Sequence, residues 1–217
     1  MSKTKAKKQK QIIAKQVYKQ PIAIDFEITD EPLENPDYPP LPKDVQVDLE
    51  QSYTLMTEHP EQAIAKFTEL KDRFPYYPKF NNYISAAYSQ LEEYDKTREL
   101  VEETYRKFPE YLFARVNYAE LCIQNNISDQ VPIIFEGKTG LKELYPHRSV
   151  FHISEVSGFY GMMGLYYCFV NNKIEAERHY NLLKRVNPEH QFTKRIGKYL
   201  AAPAVLEALL RALQENR

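Results

Sequence analysis

The sequence predicts an all-α protein assembled from repeated helix pairs. Three observations carry that expectation. Glycine is scarce, six in 217 residues, and strand-like alternation is nearly absent from Asp44 onward. Helix-ending signals recur along the chain, at His59-Pro60, Phe74-Pro75, Phe108-Pro109, Tyr145-Pro146 and Asn187-Pro188, with asparagine pairs at Asn125-Asn126 and Asn171-Asn172. Proline disfavours helical geometry in the residue before it, so each such dipeptide ends a helix. The third observation is internal similarity: AIAKFTELKDRFP at 63–75 aligns without gaps to AERHYNLLKRVNP at 176–188.

The charge is unevenly placed. Residues 1–20 hold seven lysines, Lys3, Lys5, Lys7, Lys8, Lys10, Lys15 and Lys19, and no acid. The other 197 residues carry 22 basic and 30 acidic side chains, a net of −8. Residues 1–20 therefore read as a solvated basic arm. Its lysines offer a weak contact to nucleic acid through charge alone. Residues 21–43, PIAIDFEITDEPLENPDYPPLPK, carry six prolines and no helical period, and read as an extended acidic linker. Ile22, Ile24 and Phe26 give it apolar side chains with which to pack along the body. The folded region is expected over 44–188, and 189–217 as C-terminal capping helices.

Pro75, Pro109, Pro146 and Pro188 are spaced 34, 37 and 42 residues apart. In the aligned segments Ala63 matches Ala176, Phe67 matches Tyr180, Leu70 matches Leu183 and Pro75 matches Pro188. Counting back from Pro188 also places Tyr160, Met163, Gly164 and Tyr167 on the preceding helix. These residues resemble the tetratricopeptide repeat. Its first helix carries a bulky, a leucine-like, a small and a tyrosine position, and its second carries alanine, an aromatic, a small or apolar residue and proline. Counting back from Pro109 gives a looser match: Ile84, Ser85 and Tyr88, then Thr97, Val101 and Thr104. The repeat ending at Pro75 has a good second helix, but Gln51 stands at its small position. The stretch 128–145 departs most, with Pro132, Gly137 and Gly140 where packing residues belong. The resemblance spans about 44–188 and implies a right-handed α-α solenoid of about four helix pairs.

The interval before the last repeat is longer than the repeat by about two helical turns. Its first helix is therefore expected from near Ser149 to Val170. That helix holds VSGFYGMMGLYYCFV, the most apolar window of the chain, at 156–170. Fifteen residues fall short of the ~20 that a membrane-spanning helix needs, so no membrane span is expected. The segment 204–216 shows one apolar stripe, Val205, Leu206, Leu209, Leu210 and Leu213. Its first reading is a cap over the end of the stack; a homodimer seam through 204–216 is the alternative.

Motifs for chemistry fail on inspection. GKTG at 137–140 has Pro132 where a phosphate-binding loop needs its first glycine, and no strand precedes it. Gly158, Gly161 and Gly164 are spaced by three inside a helical pattern, unlike a dinucleotide-binding turn. His147, His152 and Glu155 lack the spacing of a metal site. Cys122 and Cys168 form no disulfide framework, which with the absence of an apolar leader points to a cytoplasmic, reducing setting. No enzyme, cofactor or metal is expected.

The resemblance implies binding of a peptide or partner helix by the first helices, as a non-enzymatic scaffold or adaptor. Carried onto this chain, the lining is Lys79, Asn82, Ala86 and Ser89, then Phe113, Val116, Glu120 and Ile123, then Gly158, Gly161, Leu165 and Cys168. Each set repeats at +3, +4, +3 and so keeps to one helical stripe. Gly158 and Gly161 are expected to leave a shallow trough beside Leu165, and Gly164 a close helix approach. The terminal-carboxylate clamp of some family members is not expected, since Asp48, Ser52, Tyr83, Phe113 and Asn117 occupy its positions. A nucleic-acid or ribosome-associated factor acting through the lysine arm is the alternative function.

Overall fold

The computed structural model describes residues 21–33 and 38–202. They are mostly helical, as expected, and fall into two compact units. Among the described residues, one comprises those within 32–126 and the other joins 21–31 to 127–202. The expectations for the lysine arm and for 204–216 lie outside the described residues.

The unit of 32–126 contains five helices: α1 (Lys43–Glu58), α2 (Pro60–Arg73), α3 (Pro78–Gln90), α4 (Tyr94–Lys107) and α5 (Leu112–Gln124). Each packs on the next in sequence, and α3 also meets α5. Prolines open α2 and α3, where the missing N–H has no helical partner to lose. The core gathers Val45 from α1, Ala63, Phe67 and Leu70 from α2, Phe80 and Ile84 from α3 and Leu100 from α4. Leu41 joins it, and Tyr38 packs its ring 5.5 Å from Tyr77. The end of the proline-rich segment is thus part of this unit.

The helix ends repeat in detail. Phe74, Phe108, Tyr145 and Asn187 each precede a proline, with φ of −131°, −132°, −127° and −151° and ψ of 64°, 62°, 72° and 81°. The carbonyl of each accepts a hydrogen bond from the N–H three residues on. These turns recur at the spacing of the prolines because the proline ring excludes the helical ψ from its predecessor. Side chains six residues along reinforce two of them. Arg115 Nε donates to the Pro109 carbonyl at 2.6 Å, and Thr193 Oγ1 donates to that of Asn187 at 2.8 Å. A second set of ends is left-handed: Glu92, Asn126 and Asn171 have φ of 60°, 60° and 57°. At two of them the next N–H reaches back five residues, Glu93 to Tyr88 and Asn172 to Tyr167, which caps the carbonyls that a helix end leaves open.

The second unit begins with β1 (Glu27–Thr29), paired in parallel with β2 (Val150–His152), so that Ile28 faces Phe151. The reading of 21–43 as an extended linker is thereby corrected at 27–29, which pair as a strand. From Pro21 to Ile28 exposed residues alternate with half-buried Ile22, Ile24, Phe26 and Ile28, the period of a strand with one covered face. Phe26 meets the fully buried Phe151 edge-on, with ring centroids 4.7 Å apart. Between the units' boundary and β2 lie only α6 (Gln130–Ile134) and α7 (Leu141–Leu144), where a degraded second helix with a turn or kink at GKTG was expected over 128–145. Glu136 and Gly137 both take positive φ, 55° and 68°, and end α6. Two consecutive left-handed residues cannot continue a right-handed helix.

Helix α8 (Ile153–Phe169) starts later than the expected Ser149, since 150–152 form β2. His152 and Glu155 make a reciprocal capping box. Arg148 grips Glu155 through two nitrogens at 2.6 and 2.8 Å and lies 4.3 Å from the centre of the Phe151 ring. The His152 Nδ1 accepts from Ser154 N–H, so Nε2 carries the proton it donates to the Asp30 carbonyl at 3.2 Å. One histidine thus ties the N-terminal strand to the start of α8. Helix α9 (Lys173–Val186) packs along α8, and α10 (191–202) follows after the Asn187 turn. Among the described residues no helix is long and apolar enough to cross a membrane.

A Cβ at Gly137 would meet nothing within 4 Å, so substitution there isolates backbone strain. Gly137→Ala is expected to lower stability by ~1 kcal/mol, read as a shifted urea midpoint with unchanged slope.

Candidate functional site

The expected binding stripe divides sharply between the units. On α8 it is covered. Gly158, Gly161 and Cys168 are buried, and Leu165 is half-buried. A Cβ at Gly161 would stand 2.5 Å from Cδ2 and 2.6 Å from Cβ of Phe192 on α10. One at Gly164 would stand 2.6 Å from Ile196 Cδ1 and 2.9 Å from His179 Cβ. The open trough expected at Gly158 and Gly161 is therefore corrected: α10 lies across Gly161, and the glycines serve close packing. Gly164 has the close helix approach expected of it. The apolar surround pushes the Cys168 thiol up to about 11, which makes it inert as a nucleophile.

The repeat-packing positions occupy interior or turn sites. Ala63, Phe67, Tyr160 and Ala176 are buried, while Tyr88, Tyr167 and Tyr180 are half-buried. Pro75, Pro109 and Pro188 sit exposed on the three turns described above. Burial pushes the Tyr160 phenol up to about 12, with smaller contributions from Asp25 and Glu143, while its hydrogen bond to the Leu141 backbone acts the other way. His179 is 3% exposed and lies beside the rings of Tyr167 and Tyr160, at 5.1 and 6.0 Å. Its Nδ1 donates to the Glu175 carbonyl at 2.8 Å, and Nε2 has no hydrogen-bond partner among the described residues. Desolvation lowers its pKa to about 4, against weaker opposing contributions from the Glu175 backbone and carboxylate.

In the unit of 32–126 the stripe stays accessible in part. On α3, Lys79 and Asn82 are half-buried and Ala86 and Ser89 exposed. On α5, Phe113 and Glu120 are half-buried, but Val116 and Ile123 are 3% and 6% exposed and belong to the interior. That removes two residues from the expected lining. The helices are joined across this face by one hydrogen bond, Asn117 Nδ2–H to Asn82 Oδ1 at 2.7 Å. Lys79 Nζ lies 5.8 Å from the centre of the Tyr83 ring, and burial lowers its pKa. Tyr83 in turn packs against Phe67 at 5.0 Å and edge-on against Tyr53 at 5.4 Å. Burial raises the Tyr83 phenol pKa, helped by the phenols of Tyr53 and Tyr77.

The grouping of Lys79, Tyr53, Tyr83, Asn82 and Asn117 draws on three helices. The sequence placed Lys79 and Asn82 on one stripe, and named Tyr83 and Asn117 only at the clamp positions. Tyr53 gave no signal because its place depends on how α1 meets α3. Among the described residues, no group of three or more His, Cys, Asp or Glu is placed to hold a metal ion.

No family model matches the chain, and neither a curated protein nor a solved structure is significantly similar to it.

Two outcomes follow from the covered stripe. Alanine favours a helix over glycine by ~1 kcal/mol, but overpacking costs about 1–3 kcal/mol. Gly161→Ala is therefore expected to lower the melting temperature, and to lower it less in a Phe192→Ala background than in the wild type. The second concerns pH. Unfolded, His179 takes up a proton below about 6.5; folded, only near 4. Stability is full above pH 6.5 and falls as pH drops toward 4, by roughly 3 kcal/mol at most. Urea midpoints of His179→Gln are expected to fall less over that interval than those of the wild type.

Proposed function

We propose that this chain is a non-enzymatic protein-interaction scaffold of the tetratricopeptide type, and that α3 and α5 hold an extended segment of a partner. The observation that carries the reading is the Asn82–Asn117 pair. One amide hydrogen bond joins them, leaving two N–H donors on Asn82 and one N–H donor and the carbonyl acceptor on Asn117. A peptide unit presents one donor and one acceptor, and the pair can meet both. Beside the pair, Ala86 and Ser89 are small and exposed, so main chain can lie close to α3. Half-buried Phe113 offers an apolar contact. The repeated pre-proline turns and the 34-residue interval between the first two also fit the tetratricopeptide pattern.

The face is small, and neutral hydrogen bonds contribute only ~0.5–1.5 kcal/mol each. Modest affinity and tolerance of sequence are expected. The test is selection of a displayed random dodecapeptide library on the full chain. Selected peptides are expected to bind at least ~5-fold more weakly to Asn82→Ala/Asn117→Ala and to be displaced by Ser89→Trp, with circular dichroism showing both variants folded. Equal binding to wild type and both variants would place the peptides elsewhere and overturn the reading.

A further inference from the structure

Lys79, like Lys71 and Lys142, is half-buried and in no ion pair among the described residues, and of the three it is the one on the α3 stripe. Arg115, Arg148 and Arg178 have side chains only 3%, 20% and 29% exposed, and each has a carboxylate oxygen within 2.8 Å. Lys79 is half-buried too, yet no ion pair among the described residues includes it. Its surroundings give little compensation. The ring of Tyr83 at 5.8 Å supplies a weak cation–π attraction. The residue stands second in α3, and the first turn of that helix contains no acid. A cation there opposes the helix dipole. Desolvation without a partner, and repulsion by the helix end, both act against the charged form.

We infer that Lys79 anchors a side-chain carboxylate, from Asp or Glu, on the extended partner segment that Asn82 and Asn117 hold. This rests on the function proposed above. Lys79 and Asn82 lie one turn apart on the same stripe, so main-chain reading and charge reading address neighbouring residues of one segment. Tyr53, 54% exposed and edge-on to Tyr83, stands where the methylene groups of an acidic side chain can rest. The charge of the chain selects a monoanion. One ammonium is neutralised by one carboxylate, whereas a phosphate leaves excess negative charge beside a body of net −8 over residues 21–217.

The test uses two immobilised random-peptide pools, identical except for a central Glu or Gln, each prepared with free and with amidated C-termini. The full chain is expected to retain the Glu pool about tenfold better than the Gln pool, in both terminal forms. The preference is expected to vanish in Lys79→Met, persist in Lys79→Arg and weaken steeply with salt, while Lys79→Met still retains both pools. Equal retention of the two pools by wild type overturns the role of Lys79 and leaves the peptide-binding reading standing. A preference lost on amidation reassigns Lys79 to a chain terminus and equally overturns the inference. Retention of neither pool overturns the peptide-binding reading itself.

Discussion

The structure depends first on a steric constraint of a few atoms. A proline ring crowds the residue before it and excludes the helical backbone. Phe74, Phe108, Tyr145 and Asn187 all yield to it in nearly the same way. Each ends a helix at a set place and turns the chain into a hydrogen-bonded reversal. The helices on either side are then brought together by their apolar stripes. Alanine and phenylalanine at positions 63 and 67 reach the interior, as alanine does at 176. Those turns also explain Arg115. Its guanidinium is buried because it holds the Pro109 carbonyl, and it pairs with Glu110, whose side chain is 80% exposed.

Helix α8 shows what happens when a helix is apolar on every side. Such a helix is stable only when surrounded. Its run from Val156 to Gly164 is entirely buried. Glycine at 161 and 164 lets Phe192, Ile196 and His179 approach within the space of a methyl group. Dispersion attraction across that close approach offsets the intrinsic penalty of glycine in a helix. Helix α3 is the opposite case. It has small and polar residues along one stripe, and that stripe remains partly solvated. The candidate site falls on the stripe of α3 whose small and polar side chains could not fill a core, while Phe80 and Ile84 on its other side do.

Much of the fold was legible because it rests on local rules. The helix ends, the proline spacing and the burial of Ala63, Phe67, Tyr160 and Ala176 follow from neighbouring residues and helical period. The failures share a cause. The strand at 27–29 is three residues long, and its partner lies more than a hundred residues away. Its alternation, Ile22, Ile24, Phe26 and Ile28, was visible but was obscured by the prolines after it. The break at Glu136-Gly137 was signalled by glycine, though not by glutamate, which rarely takes positive φ. Val116 and Ile123 were placed on an open face because stripe position is a property of one helix. Their burial depends on what else packs there.

The sequence by itself determined where the helices before Pro75, Pro109, Pro146 and Pro188 stop, and that Ala63, Phe67, Tyr160 and Ala176 face inward. These are consequences of backbone sterics and periodicity over a few residues. Only the tertiary structure decided which stripe remains accessible. It laid α10 across Gly161, joined Asn82 to Asn117, and left Lys79 beside Tyr83, itself edge-on to Tyr53, with no carboxylate partner among the described residues. Accessibility and charge pairing are set by side chains from different helices, and no local pattern specifies how those helices meet.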